Sequence, residues 1–164
     1  PATYNGSELY QGDRVYRKEN KAESYIQGVE AEAEARLHTG LNLYGGIAYT
    51  YGQNITDDEP VRRIPPLNGR LGISYRALKN SWLSLEWLFA EEQTRLSAGD
   101  IDDNRIPVGG TPGWHVINLH GTTRLQSFNI RWGVQNLFDE LYRIHGSGTD
   151  GYGRSLYLGV SLGY

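Results

Sequence analysis

Charged side chains gather in three polar stretches, and these residues are the ones best suited to bind a ligand. Arg62 and Arg63 are adjacent in the first stretch, where two guanidinium groups can pair with an anionic ligand. Three aspartates between positions 100 and 103 occupy the second stretch, but they lack the glycine and the distal glutamate of an EF-hand calcium loop. A simply charged loop and a solvated acidic loop are the simpler interpretations of these two stretches. The candidate ligand-binding residues are Arg62, Arg63, Asp100, Asp102 and His145.

Several classes of chemistry find no support in the residue types. The chain of 164 residues has no cysteine, which excludes disulfides, thiolate metal sites and a cysteine nucleophile. Its four histidines include no pair at a metal-ligand spacing, so we predict no metal site and no cofactor. Serine, histidine and acidic residues are not spaced as a triad, which predicts that the chain is not an enzyme. A net charge of −3 offers no basic surface for nucleic acid, and no apolar stretch reaches the ~20 residues of a transmembrane helix.

The elements that hold the three polar stretches are strands, because apolar and polar residues alternate with period two. The final segment shows the alternation clearly, since Leu156, Leu158, Val160 and Leu162 are separated by serine, tyrosine and glycine residues. Several strands exceed the ~5–6 residues usual in globular proteins and approach the ~9–11 residues of a tilted transmembrane strand. The alternation predicts seven strands, over residues 25–37, 41–51, 70–76, 83–90, 116–125, 128–135 and 154–164.

The connections between the predicted strands alternate in length. Short turns fall at residues 38–40, 78–80 and 126–127, and long polar connections fall at residues 53–66, 97–111 and 139–151. Transmembrane barrels have this rhythm, with short periplasmic turns and long extracellular loops. We therefore expect the last strand to descend to the periplasmic side and the candidate ligand-binding residues to lie outside the cell.

The two faces of the predicted strands differ in polarity. One face is apolar and almost free of charge, and the other carries side chains of both signs, as expected for the lipid-facing and water-facing sides of a barrel wall. Aromatic residues lie toward both ends of the apolar face, at the levels where a bilayer selects them. We predict an upper girdle of Tyr25, Tyr51, Phe89 and Phe138 and a lower girdle of Tyr75, Phe128 and Tyr164.

Seven is an odd number of strands, whereas a single-chain bacterial barrel has an even number. Residues Leu9–Arg17 could form a weak eighth strand that closes a small barrel, or the chain could contribute part of a larger barrel. An open sheet leaves unpaired backbone groups in lipid, which is costly. We therefore expect the last strand to pair with a strand that this chain lacks. Residues 1–21 are interpreted as an extracellular loop and strand lead-in, and residues 22–164 as the C-terminal transmembrane barrel strands.

Short motifs along the chain resemble those of one protein family. They are Gly28-Val29-Glu30, Arg63-Ile64-Pro65-Pro66, Thr111-Pro112-Gly113-Trp114 and Asn136-Leu137-Phe138-Asp139, followed by Tyr142-Arg143 and Gly153-Arg154. In this order, over residues 20–164, they resemble the C-terminal third of a TonB-dependent outer-membrane receptor. The resemblance implies an all-β fold, an antiparallel transmembrane β-barrel segment that supplies about seven strands of a larger, 22-stranded barrel. Gly159, Leu162 and Tyr164 resemble the C-terminal signal that the β-barrel assembly machinery reads.

The resemblance also implies a function and a set of partners. The expected function is TonB-dependent uptake of a scarce nutrient across the bacterial outer membrane, with an iron–siderophore complex or another metal chelate as the ligand. The expected partners are the lipid bilayer and lipopolysaccharide, the remaining barrel strands, a plug domain, TonB and the β-barrel assembly machinery. Two alternatives stay open at this point: a complete eight-stranded barrel with a structural or adhesion role, and a small barrel enzyme that acts on lipid.

Overall fold

Seven long antiparallel strands dominate the computed structural model, which describes residues 9–14 and 23–163. They are β3 (Ser24–His38), β4 (Leu41–Asn54), β6 (Asn68–Leu78), β7 (Ser81–Ala90), β8 (Trp114–Leu125), β9 (Phe128–Gln135) and β10 (Ser155–Leu162). The remaining elements are two-residue strands, β1 (Leu9–Tyr10), β2 (Asp13–Arg14) and β5 (Glu59–Pro60), and one helical turn, α1 (Ala98–Ile101). The seven long strands form one sheet, called the wall below, in which neighbours along the chain are paired. The predicted seven strands and the all-β fold are confirmed.

Strand register places the apolar positions of neighbouring strands on one face of the wall. Trp87 lies opposite Leu71 on β6 and Ile117 on β8, and Leu158 lies opposite Trp132 on β9. The paired positions of the seven strands on this face hold no Asp, Glu, Lys or Arg. Many of its large apolar side chains are exposed, Leu158 to 73%, and others such as Trp87 are half-buried. A continuous exposed apolar face without charge is the arrangement that a lipid-facing wall requires.

Two glycines on the opposite, polar face make room for tyrosine rings of the neighbouring strands. A Cβ atom on Gly72 would collide with the ring of Tyr44, and one on Gly133 would lie 2.5 Å from a ring carbon of Tyr157. Because a slip of one residue would bring each ring against a side chain or onto the wrong face, these pairs help to fix the register.

Short turns and long loops alternate along the chain, as the sequence predicts. Two-residue turns at residues 39–40, 79–80 and 126–127 join strands at one end of the wall. Gly40 has a φ of +97° and Gln126 a φ of +52°, and such left-handed positions allow the chain to reverse within two residues. The other end carries three long connections, which we call loop 1 (residues 55–67), loop 2 (residues 91–113) and loop 3 (residues 136–154).

The most buried side chains lie where the loops fold onto the strand ends. Among the described residues, the buried apolar side chains are Ile64, Ala90, Ile106 and Val116, and all four belong to the loops or to the adjoining ends of β7 and β8. A single sheet has no second layer to cover the middle of its strands. The loop end is therefore the part of the described structure that packs like a protein interior.

The two edges of the wall each have a single neighbour among the described residues, since β3 pairs with β4 and β10 pairs with β9. Leu9–Tyr10 pairs with Asp13–Arg14 in a small hairpin, so the described part of Leu9–Arg17 does not close a barrel against β10. Residues 15–17 lie outside the described residues, as do 1–8 and 18–22 of the predicted N-terminal region and Tyr164. No helix in the described ranges is long and apolar enough to cross a membrane.

Candidate functional site

A buried carboxylate joins loops 1 and 2. The side chain of Asp103 is 4% exposed, and its Oδ2 accepts hydrogen bonds from Arg62 at 2.9 Å, Arg63 at 3.0 Å and Arg105 at 2.7 Å. Arg105 also donates from Nε to Oδ1 at 2.8 Å. A charge in such a buried position is stable only when it is paired and hydrogen-bonded, and here three guanidinium groups supply both.

Asp100 forms the second half of this arrangement. Its carboxylate, 1% exposed, accepts hydrogen bonds from the backbone N–H of Ser97 at 3.1 Å, the Ser97 hydroxyl at 2.9 Å and the backbone N–H of Arg63 at 3.1 Å. The Ser97 Oγ in turn accepts from the backbone N–H of Asp100, so the two residues form a capping box that begins α1. We call Asp100, Asp103 and the three arginines of loops 1 and 2 that surround them, Arg62, Arg63 and Arg105, the loop clasp.

The prediction of a solvated acidic loop is wrong for two of its three aspartates. Asp100 and Asp103 are buried, and only Asp102 is exposed. The physical reason is that arginines about 40 residues earlier in the chain replace the water that would otherwise solvate these carboxylates. No sequence spacing indicates that pairing, although the Ser97-to-Asp100 interval is itself a helix-start signal.

Loop 2 is closed at its base by Gln93 and Thr111. Their backbones exchange two hydrogen bonds, from Gln93 N–H to Thr111 at 2.9 Å and from Thr111 N–H to Gln93 at 3.0 Å. The Gln93 side chain also donates to the carbonyl of Ile64 in loop 1 at 2.8 Å. Both residues are buried, so this base is a fixed platform for the neighbouring loop.

Loop 3 folds back over this platform. Its tip, residues 143–150, is closed by an ion pair of 2.7 Å between Arg143 and Asp150. The ring of Tyr142, just before the tip, contacts Trp114 of β8 with centroids 4.8 Å apart. At the tip, His145 Nδ1 and the Thr111 hydroxyl are 2.9 Å apart. Sequence analysis did not identify Thr111 as the partner of His145.

The environment of His145 disfavours the charged imidazolium. Burial lowers the pKa of His145 below its ordinary value, and the nearby carboxylates of Asp100 and Asp103 oppose that effect without cancelling it. The Nε2 atom is buried and has no hydrogen-bond partner among the described residues. His145 is therefore held as the neutral form at neutral pH.

A cavity of about 700 Å³ lies between the loops and the polar face of the wall. Both signs of charge border it, with Glu32 and Arg70 of the wall forming an ion pair of 3.4 Å. Loop 3 contributes Arg143 and His145 to its lining, and Trp114 and Thr111 lie beside them. No group of three or more side chains suited to hold a metal ion is present in the described ranges. The cavity can accept a polar ligand that presents both donors and acceptors.

The structure brings together some of the predicted ligand-binding residues and separates others. Arg62, Arg63 and Asp100 meet in the loop clasp, whereas Asp102 is exposed and His145 lines the cavity. About half of the Arg62 and Arg63 side chains remains exposed, at 51% and 44%. Their role as ligand contacts stays a prediction, because each already serves as a counter-ion of Asp103.

The predicted girdle residues occupy the apolar face or the adjoining loop. The rings of Tyr25 and Tyr51 stack with centroids 6.1 Å apart, and Phe89 contacts Trp87 at 4.8 Å. Tyr75 and Phe128 lie toward the short-turn end, and Phe138 is exposed at the start of loop 3. Gly159 and Leu162 lie on β10, while Tyr164 falls outside the described residues. The girdles and the assembly signal remain predictions.

Comparison with known proteins identifies one family. A family model described as "TonB dependent receptor-like, beta-barrel" matches residues 2–137, which is most of the chain. No curated protein matches the chain.

Solved structures agree with the family model. The copper transporter OprC is similar at 26% identity with a TM-score of 0.73, over 84% of this chain and 22% of that one. The ferric citrate transporter FecA in its unliganded form is similar at 23% identity with a TM-score of 0.70, over 85% and 24%. The FrpB iron transporter of Neisseria meningitidis is similar at 18% identity with a TM-score of 0.67, over 84% and 23%. The chain thus spans less than a quarter of these structures, which are transporters and not enzymes.

Proposed function

The chain belongs to the TonB-dependent receptor β-barrel family, and from this premise we propose that it forms part of the barrel wall of an outer-membrane receptor. The receptor would import an iron–siderophore complex or another metal chelate in a TonB-dependent manner. The observation that carries the proposal is the uncharged apolar face, kept in register across all seven strands, behind a polar face and a cavity under the long loops. Such a wall suits lipid on one side and a hydrated ligand path on the other.

The burial and charge of each candidate residue determine the role that we propose for it along the ligand path. The exposed halves of Arg62 and Arg63 would meet an anionic chelate first, because guanidinium groups retain donors beyond those used on Asp103. Arg143 and His145 would contact the ligand once it enters the cavity that they line. Asp100 would act by positioning loop 1. Asp102 remains a candidate ligand contact only because its side chain is exposed.

The proposal includes partners that the described residues do not contain. In this family a plug domain and TonB act with the barrel, and we propose the same here. The open edges of β3 and β10 would pair with further barrel strands, since unpaired backbone groups are costly in lipid. Lipopolysaccharide around the loops, the assembly machinery at Gly159, Leu162 and Tyr164, and a bacterial outer-membrane location complete the proposal.

An uptake experiment with the full-length receptor tests this function. The receptor is expressed in a bacterial host that lacks its own metal-chelate receptors, and accumulation of radiolabelled iron and copper chelates is measured with and without TonB. We expect accumulation of at least one chelate that disappears without TonB or after collapse of the proton motive force. Accumulation that is independent of TonB would contradict the proposal.

Matched arginine variants locate the ligand path in the same assay. Arg143→Ala removes a charged side chain from the cavity lining, and we expect an increase of about tenfold in the apparent KM because one charge-assisted contact is lost. Arg76→Ala is the control, since Arg76 lies over the Trp82 ring at 4.9 Å near the short-turn end. Equal effects of both variants would place the ligand elsewhere.

A further inference from the structure

The tip of loop 3 packs against loops 1 and 2 but forms very few hydrogen bonds with them. Among the described residues, the hydrogen bond between His145 and Thr111 is the only one that joins residues 143–150 to loops 1 and 2. Thr111 itself is immobilised by its two backbone hydrogen bonds to Gln93. Whatever changes the hydrogen bonding of His145 therefore acts on the docking of the whole tip.

Two glycines let the tip pack tightly against cationic side chains. Gly146 and Gly148 have φ values of +73° and +76°, which glycine adopts without strain. A Cβ atom on Gly148 would lie 2.8 Å from the Arg105 side chain, and one on Gly146 would lie 3.8 Å from that of Arg63. The residues on the C-terminal side of His145 therefore lie directly on two positively charged side chains.

Charged groups from every neighbouring element lie near the imidazole or line the same cavity. Loop 2 contributes Asp100, Asp103, Arg105 and Glu91, loop 1 contributes Arg62 and Arg63, loop 3 contributes Arg143, and the wall contributes Glu30, Glu32 and Arg70 across the cavity. The two aspartates attract an imidazolium, but their carboxylates already accept hydrogen bonds from the clasp arginines and from Ser97. Neither carboxylate bonds to Nε2, which is buried without a partner.

We propose that the tip of loop 3 is a proton-operated flap, docked on Thr111 while His145 is neutral and released when His145 takes up a proton. Release would open the cavity that Arg143, Ile144 and His145 line. This flap is a property beyond uptake itself, because it concerns when the cavity is accessible and not what enters it.

The direction of the effect follows from burial and hydrogen bonding. A second proton would place a positive charge on a ring whose Nε2–H has no acceptor in the docked state, whereas the released ring is solvated by water. Docking lowers the pKa of His145, so the docked state is fully favoured above the ordinary value of about 6.5 and loses stability as the pH falls below it. One proton allows the docking equilibrium to change by up to about tenfold for each pH unit.

Spin-label distance measurements on the full-length receptor in nanodiscs test the flap. Cysteines replace Ser147 at the tip of loop 3 and Val108 on loop 2, both of which are exposed. At pH 8 we expect one short inter-label distance. At pH 5 we expect a second, longer distance, with the ratio of long to short populations raised by up to about tenfold for each pH unit below 6.5.

Two glutamine variants separate the flap from a general effect of acid. His145→Gln keeps an amide that can bond to Thr111 but cannot take up a proton, so its distance distribution should be the same at both pH values. His115→Gln, on β8 beside Trp87, should respond to pH as the unsubstituted receptor does. A distance distribution of the unsubstituted receptor that does not change with pH, or a response that persists in His145→Gln, would overturn the proposal. If His145→Gln is undocked at both pH values, the midpoint of the unsubstituted receptor decides: one above about 6.5 overturns the flap, and one at or below it supports the flap.

Discussion

Backbone hydrogen bonds between consecutive strands hold the wall together, whereas side chains far apart in the sequence hold the loops above it. Within the wall, Leu85 faces Ile73 on one side and Leu119 on the other, and many apolar residues would serve equally well at those positions. In the loop clasp, Asp103 pairs with Arg62, 41 residues earlier. An apolar residue in place of Asp103 would leave three guanidinium groups without their counter-ion. The wall should therefore tolerate most substitutions that keep an apolar residue apolar or a polar residue polar. The loops should be sensitive to substitution at a small number of positions, those of the clasp.

The largest expected effect comes from a charge on the apolar face of the wall. Leu158→Arg should destabilise the folded barrel in a bilayer by about 2–4 kcal/mol, because a cation near the lipid midplane is poorly solvated. Folding of the full-length receptor into lipid vesicles, followed by the gel shift of the heat-resistant barrel, measures the loss.

Gln135→Arg provides the matched control for this prediction. Gln135 pairs with Ser155 on the polar face, where an added guanidinium group stays in water. Similar folding defects in Leu158→Arg and Gln135→Arg would show that the two faces of the wall are assigned the wrong way round.

A smaller, local effect is expected in the loop clasp. Asp103→Asn leaves three guanidinium groups around a neutral amide, and the loss of charge-assisted hydrogen bonds should favour opening of loops 1 and 2 by about 1.5–3 kcal/mol. Limited proteolysis should cut within residues 55–67 and 91–113, while the folded barrel survives. Asp102→Asn removes the same charge from an exposed neighbour and should leave the cleavage rate unchanged. Unfolding of the barrel by Asp103→Asn would show that the loops and the wall are not independent.

The smallest effect, about 1–3 kcal/mol, should come from overpacking inside the wall. Gly72→Val forces the Tyr44 ring out of the space that the glycine leaves free. The double variant Tyr44→Ala/Gly72→Val should recover part of the lost stability, as measured by urea unfolding in vesicles. A double variant that loses more unfolding free energy than the two single variants together would contradict the predicted contact.

The wall could be predicted from the sequence because its pattern is local. Period-two alternation in 128–135 and 155–162 fixes both the strands and their faces without knowledge of anything distant. Turn lengths then predict that the three long loops share one end of the wall, and the structure agrees. The prediction that this end faces the outside of the cell stays a prediction.

The loop clasp could not be predicted, for the opposite reason. The sequence favours a solvated acidic loop at residues 100–103, yet the burial of Asp100 and Asp103 depends on Arg62 and Arg63, which no local pattern links to them. The partner of His145 was missed in the same way, since Thr111 lies 34 residues earlier. Residues 9–14 show the converse, because a stretch too weakly apolar for a long strand forms a short hairpin instead.

The closed base of loop 2 gives this part of the molecule a particular evolutionary freedom. Because Gln93 and Thr111 are bonded to each other, the chain leaves and rejoins the wall at one point, whatever residues 94–110 do. Insertions beyond that point cost little, since the entropy of closing a loop rises by only about 0.6 kcal/mol for each doubling of its length. Descendants of this gene could therefore lengthen the exposed parts of this segment and acquire a new recognition surface, while the clasp residues and the wall stay unchanged.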